Sequence, residues 1–111
     1  MLMKAALMIL ATLLSAGMAF SAHADEAKAA IASGTINMAA NMNELALACG
    51  HMSSQDVETG RIKQRGAALK DLGVAPASYD KMYAGYASDF KKKWGTMTPA
   101  KQKSTCDQMK R

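Results

Sequence analysis

The chain has 111 residues, 14 basic against 9 acidic side chains and a formal net charge of +5, and half of its residues are hydrophobic. That length is enough for one small domain. With only 5% aromatic residues, little large apolar surface is available to build a core.

Residues 1–24 carry the three parts of a secretory signal peptide. Lys4 is the positively charged start, Ala5 to Ala16 is an apolar stretch broken by Thr12 and Ser15, and Ala22-His23-Ala24 is a small-x-small cleavage site. The apolar run is shorter than the roughly 20 residues a spanning helix needs, so cleavage is expected rather than anchoring. Asp25 then opens the mature chain, and residues 25–111 are read as a single helical domain that is not membrane-spanning. No cysteine follows the apolar stretch, so no lipid anchor is expected either. The expected location is the periplasm or the secreted fraction.

In an exported chain the two cysteines, Cys49 and Cys106, are most simply one structural disulfide. They form no C-x-x-C, which argues against a redox-active pair. Closing so long a loop would stabilise a small fold by up to about 4 kcal/mol.

The first helix is expected over Glu26 to Cys49, with Ser33-Gly34 a weak spot in it. Met38, Met42, Leu45 and Cys49 recur at helical spacing, and Gly50 is a stop signal. A second helix begins at Ser53 or Ser54, either of which can cap it, and ends at Gly73. Its expected stripe is Ile62, Gly66, Leu69 and Leu72, and Gly60 and Gly66 suggest close backbone packing or a locally weak helix. The third helix opens near Pro76 and runs to Trp94, before Gly95. Tyr79, Met82, Tyr83, Tyr86, Phe90 and Trp94 fall on one face of it, within an arc of about 120°. The fourth has Thr98 as cap and Pro99 at its first position, continues to about Lys110, and turns Cys106 and Met109 inward. No strand pattern, repeat or linker is visible. The reading is all-α: a small four-helix domain with one disulfide, after a cleaved signal peptide.

Charge divides the mature chain. Residues 25–60 hold one base, Lys28, against five acids, whereas residues 61–111 hold twelve bases against four acids. A basic second half in an exported protein points to a protein or an acidic envelope component as partner, and away from nucleic acid, which is scarce there. Lys91, Lys92 and Lys93 with Lys101, Lys103 and the neighbouring Tyr83 and Trp94 form the candidate binding surface, since aromatic side chains beside cations are enriched in binding hot spots. The aromatic face is equally a source of core, with Phe90 and Met82 inside and one or two tyrosines at the rim.

Catalysis has little to work with. His51 is the only histidine beyond the signal, Ser53 and Ser54 are better explained as caps than as nucleophiles, and no catalytic motif is present. No enzyme activity and no cofactor are expected. The alternative to macromolecular binding is a periplasmic copper-binding protein. Met38, Met42, His51 and Met52 offer thioether and imidazole ligands suited to cuprous ion, although methionine at helical spacing is also adaptable core filler. The primary expectation is a small exported binding protein, such as an inhibitor or immunity factor or an envelope-stress chaperone.

Overall fold

The computed structural model describes residues 26–110. The signal peptide, its cleavage site, Asp25 and Arg111 lie outside the described residues. Those residues form four α-helices and no strand: α1 over residues 26–48, α2 over Ser54–Asp71, α3 over Pro76–Thr96 and α4 over Pro99–Met109. Residues 26–31 of α1 are exposed and belong to a unit separate from residues 32–111. The remainder concerns residues 32–110.

Local chemistry sets the helix boundaries. Gly50 takes φ +69° after α1 and Gly73 takes φ +65° after α2, a left-handed turn that costs an L side chain about 1–2 kcal/mol. Ser53 caps α2 by accepting the Asp56 amide at 3.1 Å, and Thr98 caps α4 by accepting the Lys101 amide at 3.2 Å. Pro76 and Pro99 occupy first-turn positions, where a missing N–H costs nothing.

Two boundaries differ from expectation. Ser33-Gly34 leaves α1 unbroken, and α3 passes through Gly95 to end at Thr96. The stop lies instead at Met97, whose extended backbone leads into Thr98, itself held out of the helical region by Pro99.

The core is made chiefly of small residues. Ile36, Ala40, Ala68, Tyr79, Tyr83 and Ala87 are buried together, and Leu69, Leu72, Val74, Met82 and Tyr86 pack against them. On α1 the inward positions are Ala32, Ile36, Ala40, Asn43 and Ala46, at steps of four, four, three and three. This corrects the methionine stripe: Met38 is 64% exposed and Met42 57% exposed. Met38 follows Ile36 by two residues, and at about 100° per residue that turns it to the far side of the helix.

On α2, Val57 and Ala68 are buried while Ile62 is exposed. A Cβ added at Gly60 or Gly66 would meet nothing within 4 Å, so neither glycine marks a close backbone approach. Arg61, on the Val57 side of the helix, lies over the Tyr83 ring at 5.8 Å while pairing with Glu58. Its guanidinium thus lies against the aromatic face as a cation–π contact.

Cys49 and Cys106 are bonded, with Cα atoms 5.4 Å apart. The bond joins the turn after α1 to α4, a helix with no buried residue of its own.

Candidate binding groove

The C-terminal half of α3 runs beside α1, and its side chains sort by size and polarity. Tyr79 and Tyr83 stack at 5.9 Å inside the core, and one turn further on Ala87 is also buried. Beyond Ala87 the core has no more depth to offer. Phe90 and Trp94 stack at 5.7 Å and remain half-buried, so much of their surface is open to one side.

That open side is a groove of about 470 Å³. Met42 and Leu45 of α1 form one wall, Tyr86, Phe90 and Trp94 of α3 the other, and Met97 closes the end. Asn37, Asn41, Asp89, Lys93 and Thr105 supply the polar lining. The volume is within the range of ordinary ligand pockets, and the mainly apolar wall with a few polar groups is typical of them.

Several bonds hold the groove. Gln102 of α4 donates to the Trp94 carbonyl at 2.8 Å, and the Met97 amide donates to the same carbonyl at 3.1 Å. Tyr86 and Ser33 are hydrogen-bonded through their hydroxyls, which fixes Tyr86 between α1 and α3. The Asn41 side-chain amide donates to Asn37 Oδ1 at 2.9 Å. Lys91 approaches Glu44 at 3.9 Å across the same two helices.

The expected binding residues separate. Lys93 and Trp94 line the groove, whereas Lys91 and Lys92 are exposed on α3 outside its lining, Lys92 about 200° round the helix from both Phe90 and Trp94. Lys101 and Lys103 are exposed on α4 but do not line it; Lys103 borders a different hollow with Ser104 and Asp107. Tyr83 is not a surface residue. It is buried, and its hydroxyl accepts a hydrogen bond from the Asn43 side chain at 2.9 Å. Asn43 also donates to Gln64 Oε1 at 2.8 Å, so the buried amide is tied to both α2 and α3.

The division expected on the aromatic face is met at Met82, which packs against the core, and at the half-buried Tyr86 of the groove, and is overturned at Phe90. Tyr79 and Tyr83 are inside, and Phe90 with Trp94 forms the rim, because the helices enclose the N-terminal half of α3 more fully than its end. The apolar groove residues absent from the expected surface are Met42, Leu45, Tyr86, Phe90 and Met97. Their sequence signals were the aromatic face of α3, which carries Tyr86 and Phe90, and the apolar spacing of Met42 with Leu45 on α1.

The residues considered as copper ligands are all exposed. Met42 faces the groove, whose lining includes none of Met38, His51 and Met52. His51 Nε2 instead lies 3.4 Å from the Cys106 carbonyl oxygen, beside the disulfide. Among the described residues, no group of three His, Cys, Asp or Glu side chains is placed to hold a metal ion. No described helix is long and apolar enough to cross a membrane.

Neither protein-family models nor comparisons with curated proteins and solved structures give a match to this chain. Any functional reading therefore rests on the groove and its surroundings.

Proposed function

We propose that this is an exported, non-catalytic binding protein that holds apolar segments of a polypeptide in the groove between α1 and α3. The observation that carries the reading is the wall of Met42, Leu45, Tyr86, Phe90, Trp94 and Met97. Two methionines, Met42 and Met97, in the lining of an aromatic groove adapt to different side chains, which favours a chaperone-like holder over a shape-matched inhibitor. Lys93 in the lining can pair with an acidic residue of the segment, with Asp89 in the same lining limiting how many such residues are favoured. The disulfide supports an oxidising compartment, periplasmic or extracellular, and the signal-like residues 1–24 point the same way.

Trp94 is the only tryptophan of the chain and lines the groove, so its fluorescence reports occupancy directly. Titration with a short leucine- and phenylalanine-rich peptide flanked by glutamates should give a saturable blue shift that weakens with salt. Met42→Glu should abolish that shift, and Lys93→Glu should weaken it, while helicity is retained. A flat titration of the disulfide-bonded protein, or an unchanged response in both variants, would rule out the groove as the binding site.

A further inference from the structure

The groove between α1 and α3 is lined by two rows that each repeat every four residues: Asn37, Asn41 and Leu45 on α1, and Tyr86, Phe90 and Trp94 on α3. Four residues of helix advance about 6 Å. Two residues of extended polypeptide advance about 6.6–6.8 Å, and every second side chain falls on the same side. The repeats differ by roughly 0.7 Å per step, so an extended segment lying along the groove keeps pace with both rows over their two steps. Each row is about 12 Å long, which matches about four extended residues.

The rows differ in chemistry. The α3 row is aromatic and suits apolar side chains, whereas the α1 row begins with two side-chain amides, both half-buried. Asn41 donates to Asn37 Oδ1 at 2.9 Å. A side-chain amide carries an oxygen acceptor and two N–H donors. The bond therefore leaves Asn37 Nδ2 as a donor and Asn41 Oδ1 as an acceptor, and neither is hydrogen-bonded to another described residue. A donor beside an acceptor is the complement of one residue of an extended chain, whose own C=O and N–H point to the same side.

We infer that the Asn37–Asn41 pair reads polypeptide backbone, and that the groove takes its occupant as an extended segment rather than as a helix. The carbonyl of one residue of the segment accepts from Asn37 Nδ2 and the N–H of that residue donates to Asn41 Oδ1, while alternate side chains lie on Phe90 and Trp94. A helical segment has most of these backbone groups paired internally and offers the two asparagines little. Backbone contacts ignore sequence, so the pair selects for conformation and leaves the aromatic row to select for apolar side chains. The inference rests on the polypeptide-binding reading of the groove and specifies the form in which the polypeptide is held.

Two analogues of the leucine- and phenylalanine-rich peptide test it, each with a single backbone N–H replaced by an ester oxygen, at one or the other of two adjacent central residues. Their side chains are those of the parent. Titrated into the full disulfide-bonded protein and followed by Trp94 fluorescence, one ester should bind roughly fivefold more weakly than the parent, the factor given by one hydrogen bond, and the other about as tightly as the parent. That alternation is the mark of an extended chain. The parent should also shift the Asn37 side-chain amide NMR signals saturably. Asn41→Ala removes the acceptor, so the parent and both esters should then bind alike. If that variant does not fold, the ester pair and the Asn37 signals in the wild-type protein decide the question. A flat titration with the parent overturns the groove reading and this inference together. A saturable response to the parent with no difference between the adjacent esters, no shift at Asn37, or an alternation that survives in Asn41→Ala overturns the backbone reading alone and leaves the groove as a binding site.

Discussion

The Asn43 side chain, buried on α1, donates at 2.9 Å to the hydroxyl of Tyr83, buried on α3. The bond removes Tyr83 from the candidate surface and makes it part of the polar seam of the core. Tyr83→Phe should therefore lower stability by about 1–2 kcal/mol, because one of the Asn43 donor bonds is lost in a buried setting. Binding in the groove should be unaffected. Urea unfolding together with the Trp94 titration checks both halves, and weakened peptide binding at full stability would return Tyr83 to the site.

The disulfide is the main tie holding α4, which buries no residue of its own. Reduction should lower the unfolding free energy by up to about 4 kcal/mol, and should first raise amide hydrogen exchange within Pro99–Met109. Because Gln102 braces the Trp94 carbonyl, the groove should loosen with it. An identical urea midpoint with and without reductant would show that the loop closure contributes nothing.

The Arg65 guanidinium donates to both carboxylate oxygens of Asp80, at 2.9 and 3.2 Å, linking α2 to α3. That hydrogen bonding holds the Asp80 pKa below its ordinary value. A carboxyl with a depressed folded pKa contributes its full stability above the unfolded value, about pH 4, and loses it as the pH falls through the lower folded value. The pair is exposed, so the effect is small. Asp80→Asn should flatten the acid limb of the melting temperature below about pH 4 and leave its shape near neutrality unchanged; an unaltered acid limb would place the acid sensitivity elsewhere.

The glycines should respond with opposite signs. Gly73→Ala forces an L side chain to φ +65° and should cost about 1–2 kcal/mol. Gly66→Ala lies inside α2 with nothing within 4 Å of the new Cβ, and should stabilise by about 1 kcal/mol. Thermal unfolding of the two variants decides it, and a destabilised Gly66→Ala would reveal a backbone role for that position.

Capping, proline placement and left-handed glycines are short-range effects, and they were legible in the residues themselves. Ser53, Thr98, Pro76, Pro99, Gly50 and Gly73 mark helix ends because each satisfies or breaks a backbone requirement within a few residues. The pairing of Cys49 with Cys106 was legible for a different reason: with two cysteines there is one intramolecular partner. Which face of each helix turns inward was less legible. Hydropathy singled out Met38 and Met42 on α1, whereas alanine carries so weak a signal that the stripe through Ala32, Ile36 and Ala40 passed unnoticed. Close helix approach selected that stripe, since small side chains let helices approach and long flexible ones can remain at the edge. The same packing took Tyr79 and Tyr83 into the core and left Phe90 and Trp94 half-open, although all four lie on one face of α3. Local chemistry thus placed the helices along the chain, while burial depended on how near the neighbouring helices came, a property of the assembled fold that no single segment contains.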